Sequence, residues 1–313
     1  MTLPVLRTVT RTQGNNRALK TGEVAPDLAV LEFVEVDPLI AAFRRMVREL
    51  AYDVCEMALT TYLTAREHGT AFTALPVFLV REFHHGAVRT RPDLAGADPR
   101  RLNGTRIGVN RGYTVTTGVW ARAVLARRYG VDLDSITWVL SGDEHVASYR
   151  PPANVVSMPA GDDLGDMVAR GDLTAVLGAP AREGLVPLIH DPESAAFDAL
   201  AADGHWPINH LVVVRDDVLA ARPGLAADLF AAFAESKRRY VEALGDPAQL
   251  QTAADRTYAR VAEVTGRDPL PYGVEPNRAV LTELLDAACA QHILRERPRL
   301  EDLFAAETLE LTG

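Results

Sequence analysis

The chain has 313 residues, 48% hydrophobic and 24% charged, the proportions of an ordinary soluble protein with room for two α/β lobes. Its 33 Lys and Arg against 42 Asp and Glu leave a formal charge of −9. That argues against nonspecific binding to nucleic acid or anionic membrane, while leaving room for a local basic pocket. The longest apolar runs, such as residues 75–80, are far too short to span a membrane, and the first residues carry no export pattern, so a cytoplasmic protein is expected. Cys55 and Cys289 lie in apolar stretches without metal-ligand spacing and read as small hydrophobes in a reducing compartment.

In chain order, strands are predicted at residues 5–10, 28–36, 51–58, 72–80, 105–109, 136–140 and 173–177. Each is a short, mostly apolar run bounded by Gly, Pro or Asp. Amphipathic stretches at 38–50, 60–68, 116–129 and 162–170 fall between them, an alternation that predicts parallel sheets with crossover helices. Residues 89–101, with Pro92, Gly96 and Pro99, read as a surface connection between two αβ units. A return strand at 208–215 then leads into helices at 225–244, 251–265, 275–291 and 300–306. This layout predicts an α/β, two-lobed, type II periplasmic-binding-protein-like fold with a helical C-terminal region. Residues 1–88 and 211–313 form its first lobe and 89–210 its second, with a ligand cleft where strand ends and helix starts converge.

Five segments put polar groups at those strand ends. Gly14-Asn-Asn-Arg-Ala-Leu-Lys20 opens a helix with exposed amides and Arg17, which suits an anion or is a plain cap. Glu56 ends the strand Tyr52-Asp-Val-Cys-Glu-Met-Ala58. Its apolar setting predicts a desolvated carboxyl with raised pKa, or else a buried glutamate paired with a structural arginine such as Arg44 or Arg48. In Arg81-Glu-Phe-His-His-Gly86 adjacent histidines cannot face the same way, and His85 is the one expected in the cleft. The loop Asn110-Arg-Gly-Tyr-Thr-Val-Thr-Thr-Gly-Val-Trp120 combines Arg111 with threonine hydroxyls and free amides at a helix start, a carboxylate or phosphate seat. His210, in Pro207-Ile-Asn-His-Leu211, is either a cleft residue or a hydrogen-bonded core histidine, and His68, His190, His205 and His292 read as surface or loop residues. No P-loop, nucleophile elbow, His-Glu-x-x-His or dinucleotide fingerprint is present, and no metal site is expected.

Taken together these segments resemble the 4,5-dihydroxyphthalate decarboxylase family. The resemblance rests on Arg17-Ala-Leu-Lys20, Phe43-Arg-Arg-Met-Val-Arg-Glu-Leu-Ala-Tyr-Asp-Val-Cys-Glu-Met-Ala58, Leu75-Pro-Val-Phe78 and Arg81-Glu-Phe-His-His85. It continues through Arg111-Gly-Tyr-Thr-Val-Thr-Thr-Gly-Val-Trp120, Pro207-Ile-Asn-His210 and Leu270-Pro-Tyr-Gly-Val-Glu-Pro-Asn-Arg278, in the family's order over almost the whole chain. Position 84 is His where the family favours Arg or Gln, and the loop Thr12-Gln-Gly-Asn-Asn16 lacks the family's aromatic start. Both departures bear on substrate more than on fold.

The resemblance implies a cytoplasmic carboxy-lyase of aromatic catabolism that needs no cofactor, converting 4,5-dihydroxyphthalate to protocatechuate and carbon dioxide. It assigns proton transfer to Glu56, His85 and His210, and substrate binding to Arg17, Arg81, Arg111, Tyr113, Thr116 and Thr117. Two competing readings stand beside it: a non-catalytic binding protein for a small aromatic or organic acid, and a decarboxylase of another hydroxylated aromatic acid. The expected partner is a small aromatic carboxylate, not nucleic acid or membrane, and self-association is left open.

Overall fold

The computed structural model describes residues 2–313. The chain opens with β1 (Val5–Val9), α1 (Arg17–Lys20), β2 (Val30–Phe33), α2 (Ile40–Glu49), β3 (Val54–Ala58), α3 (Leu59–Glu67) and β4 (Phe72–Arg81). The middle follows with β5 (Val88–Thr90), β6 (Arg106–Val109), α4 (Thr116–Tyr129), β7 (Thr137–Leu140), β8 (Val155–Ser157), α5 (Leu164–Arg170), β9 (Ala175–Leu177), β10 (Val186–Pro187) and α6 (Pro192–Asp203). The strand β11 (Ile208–Arg215) then leads into α7 (Asp216–Ala220), α8 (Leu225–Ala243), α9 (Ala253–Thr265) and α10 (Arg278–Ala290).

These elements make two compact α/β units. Unit 1 contains residues up to Arg81, Ile208–Thr282 and Pro298–Gly313; unit 2 contains Glu82–Pro207 and Glu283–Arg297. Residues 283–297 thus cluster with unit 2, whereas the sequence grouped all the C-terminal helices with the first lobe; the division falls inside α10.

Unit 1 is built on a five-stranded sheet in the order β2-β1-β3-β11-β4. The first three strands are parallel, and β11 runs antiparallel between β3 and β4. The Val-Val-Val run of β11 belongs in such a central position, because β-branched side chains pack well on a sheet covered on both faces. Unit 2 has six strands in the order β10-β5-β9-β6-β7-β8. Its parallel half, β9-β6-β7-β8, is extended by antiparallel β5 and β10. Val139, Leu164, Met167, Val168, Leu173, Val176 and Leu185 form a core cluster against this sheet.

The sheets are therefore mixed, not wholly parallel as the alternation suggested. The strands missed in sequence (β5, β8 and β10) have two or three residues, too few to show a period. Helix α6 was missed despite a readable start: Asp191 accepts the Ser194 amide, Pro192 is the first helical residue, and Gly204 ends the helix in the left-handed region. The expected helix at 300–306 is a 3₁₀ turn, Leu300–Leu303. No described helix is long and apolar enough to cross a membrane.

Candidate active site

The register of β11 on β3 sets the polar centre of unit 1. Val212 pairs with Glu56 and His210 with Ala58. Residues two apart on a strand share a face, so Glu56 and His210 become diagonal neighbours on one side of the sheet. On its other edge β11 shifts register against β4 around His210, the kind of irregularity that re-aims a side chain. The outcome is a 2.6 Å contact between His210 Nδ1 and Glu56 Oε1.

The loop leaving β1 completes the group. Because β1 lies parallel to β3, its end comes level with Glu56, and the Arg11 amide donates to Glu56 Oε2 at 2.9 Å. The Gln13 side-chain amide donates to the same oxygen at 3.3 Å. The Arg11 guanidinium, 51% exposed, lies 3.5 Å from Glu56 Oε1 and 3.4 Å from His210 Nδ1. Lys20 fastens the loop from behind, donating to the Thr10 carbonyl at 2.9 Å and to the Thr12 hydroxyl at 2.8 Å. The Phe43 and His210 rings meet at right angles, with centroids 5.2 Å apart.

Glu56 is fully buried, and burial alone would push its carboxyl up. The His210 hydrogen bond and charge, then the Arg11 charge and amide, outweigh that and hold it below the ordinary glutamate value. The raised pKa predicted from its apolar neighbours is therefore corrected: Glu56 is an ionised carboxylate, and its arginine is Arg11, not Arg44 or Arg48. An ionised carboxylate only accepts, so the short Nδ1 contact is assigned as an imidazole N–H donating to Glu56. That leaves Nε2 outside the Glu56 contact, on a side chain 16% exposed.

The other expected residues fall elsewhere. Arg81 is buried inside unit 1, hydrogen-bonded to the Asn277 side chain and 6.0 Å from the Phe78 ring. Burial lowers its pKa to about 10, so Arg81 is a core cation and not an open clamp. Arg17 is exposed and lines a cavity beside α8.

His85 belongs to unit 2, buried, with neither ring nitrogen hydrogen-bonded. Its ring meets the His205 ring edge-on at 5.9 Å, and burial first, then the His205 charge, lowers its pKa to about 4. A ring enclosed in this way is not exposed to a substrate, which corrects its catalytic assignment. His205, read as a surface residue, is also buried, 5.6 Å from the Trp120 ring and 3.2 Å from the Glu283 carboxylate.

At the start of α4 the expected seat is present but differently used. Arg111 is exposed and holds a left-handed backbone (φ 73°), rare for a residue with a Cβ and common where a site imposes it. Its amide donates to the Ser141 hydroxyl at 2.9 Å. Arg111, Asn110, Thr117 and Gly178 help line a small cavity of about 210 Å³ at this helix start, which has no side-chain cap. The amides of Tyr113 and Thr114 are already taken: the Thr114 amide donates to Glu144 at 3.2 Å, and the Tyr113 amide donates to the same carboxylate. Gly112 makes this possible, since a Cβ there would sit 2.6 Å from the Glu144 carboxylate oxygen. Thr116 is buried. The Tyr113 ring is buried under the Arg122 guanidinium at 3.9 Å, so Tyr113 packs the interior and is corrected as a substrate contact.

Sequence reasoning missed Arg11 and Gln13. The available signal was their position, directly after a strand predicted to run parallel to the one carrying Glu56. Among the described residues no group of three or more His, Cys, Asp or Glu is arranged to hold a metal ion.

No protein-family model matches the chain. It is 30% identical over 312 residues to a 4,5-dihydroxyphthalate decarboxylase of Comamonas testosteroni, covering 94% of each chain. A 4,5-dihydroxyphthalate decarboxylase of Pseudomonas putida is 34% identical over 197 residues, covering 58% of this chain and 76% of that protein. Among solved structures, the chain is similar to the periplasmic aliphatic sulphonate binding protein SsuA of Escherichia coli (TM-score 0.55, 11% identity, 97% of this chain and 92% of that one). A Candida albicans protein described as having the generic periplasmic binding protein fold aligns with TM-score 0.57 at 17% identity, over 99% of both chains. The solved structures establish the two-lobed periplasmic-binding-protein-like fold, and the Comamonas relative, by its identity and coverage, the rest: the chain belongs to the 4,5-dihydroxyphthalate decarboxylase family, which are carboxy-lyases.

Proposed function

We propose that this chain decarboxylates a dihydroxylated aromatic dicarboxylate, with 4,5-dihydroxyphthalate the first substrate to test and protocatechuate and carbon dioxide the products. In that substrate each carboxylate is para to a hydroxyl. Loss of the hydroxyl proton to solvent moves electron density to the carbon bearing the carboxylate. A proton added there forms a C–H bond and a dienone. The C–CO₂ bond then breaks, carbon dioxide departs, and the bonding pair restores the aromatic ring. The substrate's own phenolate is the electron source.

The observation that carries this reading is the 2.6 Å pair of a buried, ionised Glu56 and a partly exposed His210. A buried carboxylate behind an imidazole sets its tautomer and stabilises the imidazolium, so His210 Nε2 is the proton donor to the ring carbon. Arg11, beside both, binds the carboxylate that stays. Arg111 and Thr117 at the start of α4 are proposed as a carboxylate seat of unit 2, and the chain as a cytoplasmic enzyme.

The test is incubation of purified protein with 4,5-dihydroxyphthalate in deuterium oxide. Carbon dioxide should be released, and protocatechuate should carry one deuterium on the carbon that lost its carboxylate. Absence of carbon dioxide from this substrate and from other hydroxylated aromatic acids would rule the reading out. Turnover unchanged in His210→Ala would remove His210 from the proton transfer.

A further inference from the structure

The loop between β6 and α4 is held from two sides by charged groups of unit 2. From the segment after β7, the Glu144 carboxylate accepts the Tyr113 amide, the Thr114 amide at 3.2 Å and the Thr114 hydroxyl at 2.6 Å. From α4 itself, the Arg122 guanidinium donates to the Tyr113 carbonyl at 2.6 Å. The backbone of Tyr113 therefore lies between a carboxylate and a guanidinium.

Arg122 is fully buried and makes no ion pair among the described residues. Its Nε donates to the Gln291 side chain at 2.7 Å, and Gln291 donates in turn to the Val119 carbonyl at 3.0 Å, which fixes the guanidinium in place. Burial lowers the Arg122 pKa, with Tyr113, Tyr149 and the Glu144 charge acting against it. Glu144 and Arg122 thus face each other across the loop as an ion pair with a stretch of backbone between them.

The consequence falls on Arg111, two residues earlier. Its left-handed backbone, φ 73°, is one that a residue with a Cβ keeps only where its surroundings impose it. Those surroundings belong to the segment carrying Glu144. The Ser141 hydroxyl accepts the Arg111 amide at 2.9 Å, and Gly142 approaches so closely that a Cβ there would sit 3.2 Å from Arg111 Cα. Glu144, bound to the next two residues but one, fastens this segment onto the loop.

We propose that Glu144 is a positioning residue for substrate binding: with Arg122 it clamps the backbone of Tyr113 and so presents Arg111 to the carboxylate bound at the start of α4. This rests on the reading of Arg111 and Thr117 as a carboxylate seat. The clamp reverses what charge alone predicts. A carboxylate near an anion seat repels the ligand, so removing its charge would tighten binding. If Glu144 holds Arg111 in place, removing it weakens binding instead.

The test compares the parent, Arg111→Ala, Glu144→Gln and the double variant with 4,5-dihydroxyphthalate. Glu144→Gln keeps the shape but sets an amide N–H₂ against the backbone donors. It should raise KM about three- to tenfold with turnover within about twofold, and in the Arg111→Ala background it should leave KM unchanged or lower, as expected when one residue acts through another. Glu144→Asp, which keeps the charge one methylene short, should give a smaller rise with the same dependence on Arg111, and serves alone if the Gln variant does not fold. Calorimetric titration of the same substitutions in the His210→Ala background reads affinity without turnover, so a failure of the decarboxylation reading shows separately. KM unchanged or lowered by Glu144→Gln with Arg111 intact, or raised equally in both backgrounds, would overturn the proposal and leave the seat standing. Affinity unchanged in Arg111→Ala would remove the seat and the proposal with it.

Discussion

Each unit holds a carboxylate–imidazole pair with one buried member, and the two are built the opposite way round. In unit 1, Glu56 is buried and His210 reaches the surface; in unit 2, His205 is buried and Glu283 is the partner nearer solvent, where Arg127 pairs with it at 2.8 Å. Which member faces outward decides what a pair can do. An imidazole backed by a buried carboxylate can exchange protons with a ligand, as proposed for His210; an imidazole sealed behind an ion-paired carboxylate cannot reach one. The surroundings differ in the same sense. Glu56 accepts from Arg11 and Gln13 as well as His210, whereas His85 and His205 leave buried ring nitrogens without partners.

The sharpest way to break this contrast is to neutralise each carboxylate. Glu56→Gln should lower turnover at least about 100-fold, the lower end for a lost acid–base function. Glu283→Gln should leave turnover within about threefold and instead lower stability by about 1–3 kcal/mol, through the unpaired buried imidazole. Equal losses of turnover in both variants would end the distinction.

The next largest effect concerns the α4 seat. Arg111→Ala should weaken substrate binding by about 1.5–3 kcal/mol, seen as a raised KM, because a charged hydrogen-bond partner is lost. The fold should persist, since the side chain is exposed and only the left-handed backbone at this position is strained. An unchanged KM and turnover would exclude Arg111 from binding.

Acid sensitivity separates the two pairs further. His85 has its pKa lowered to about 4 from 6.5, so its neutral form belongs to the folded state. Its stabilisation is complete above pH 6.5 and is lost as pH falls from 6.5 through 4, by about 1–3 kcal/mol. Denaturant melts of His85→Leu should lack that loss. Glu56, also lowered, should contribute above its ordinary 4.5 and lose its contribution only as pH falls through its lower folded value. A loss of stability between pH 6.5 and 4 that is the same in His85→Leu as in the parent would contradict the assignment.

The smallest expected effect is at Arg11. Arg11→Lys retains the charge but not the fork, so KM should rise about three- to tenfold with little change in turnover. A larger effect on turnover than on KM would make Arg11 part of the proton transfer instead of a carboxylate contact.

Much of this was legible in the amino-acid order. The apolar runs of β3, β4 and β11 and the period of α2 follow from local pattern, because a strand covered on both faces needs continuous apolar residues and a helix with one buried face needs its 3.6 spacing. The motifs containing Glu56 and His210 were legible for the same reason: a carboxylate and an imidazole interrupting apolar strands stand out. Their partners were not. That Glu56 meets His210 is a consequence of the β3–β11 register, between segments 154 positions apart, and that it is ionised depends on Arg11 and Gln13 arriving from a parallel neighbour strand. Arg81 and Tyr113 read as binding residues in sequence because long polar side chains at strand ends look alike whether they face ligand or interior. Only packing, Arg81 on Asn277 and Tyr113 under Arg122, decided which. Local order set the chemistry available to this chain, and tertiary register chose which of those groups meet, because charge state and accessibility depend on neighbours that the chain brings from far away.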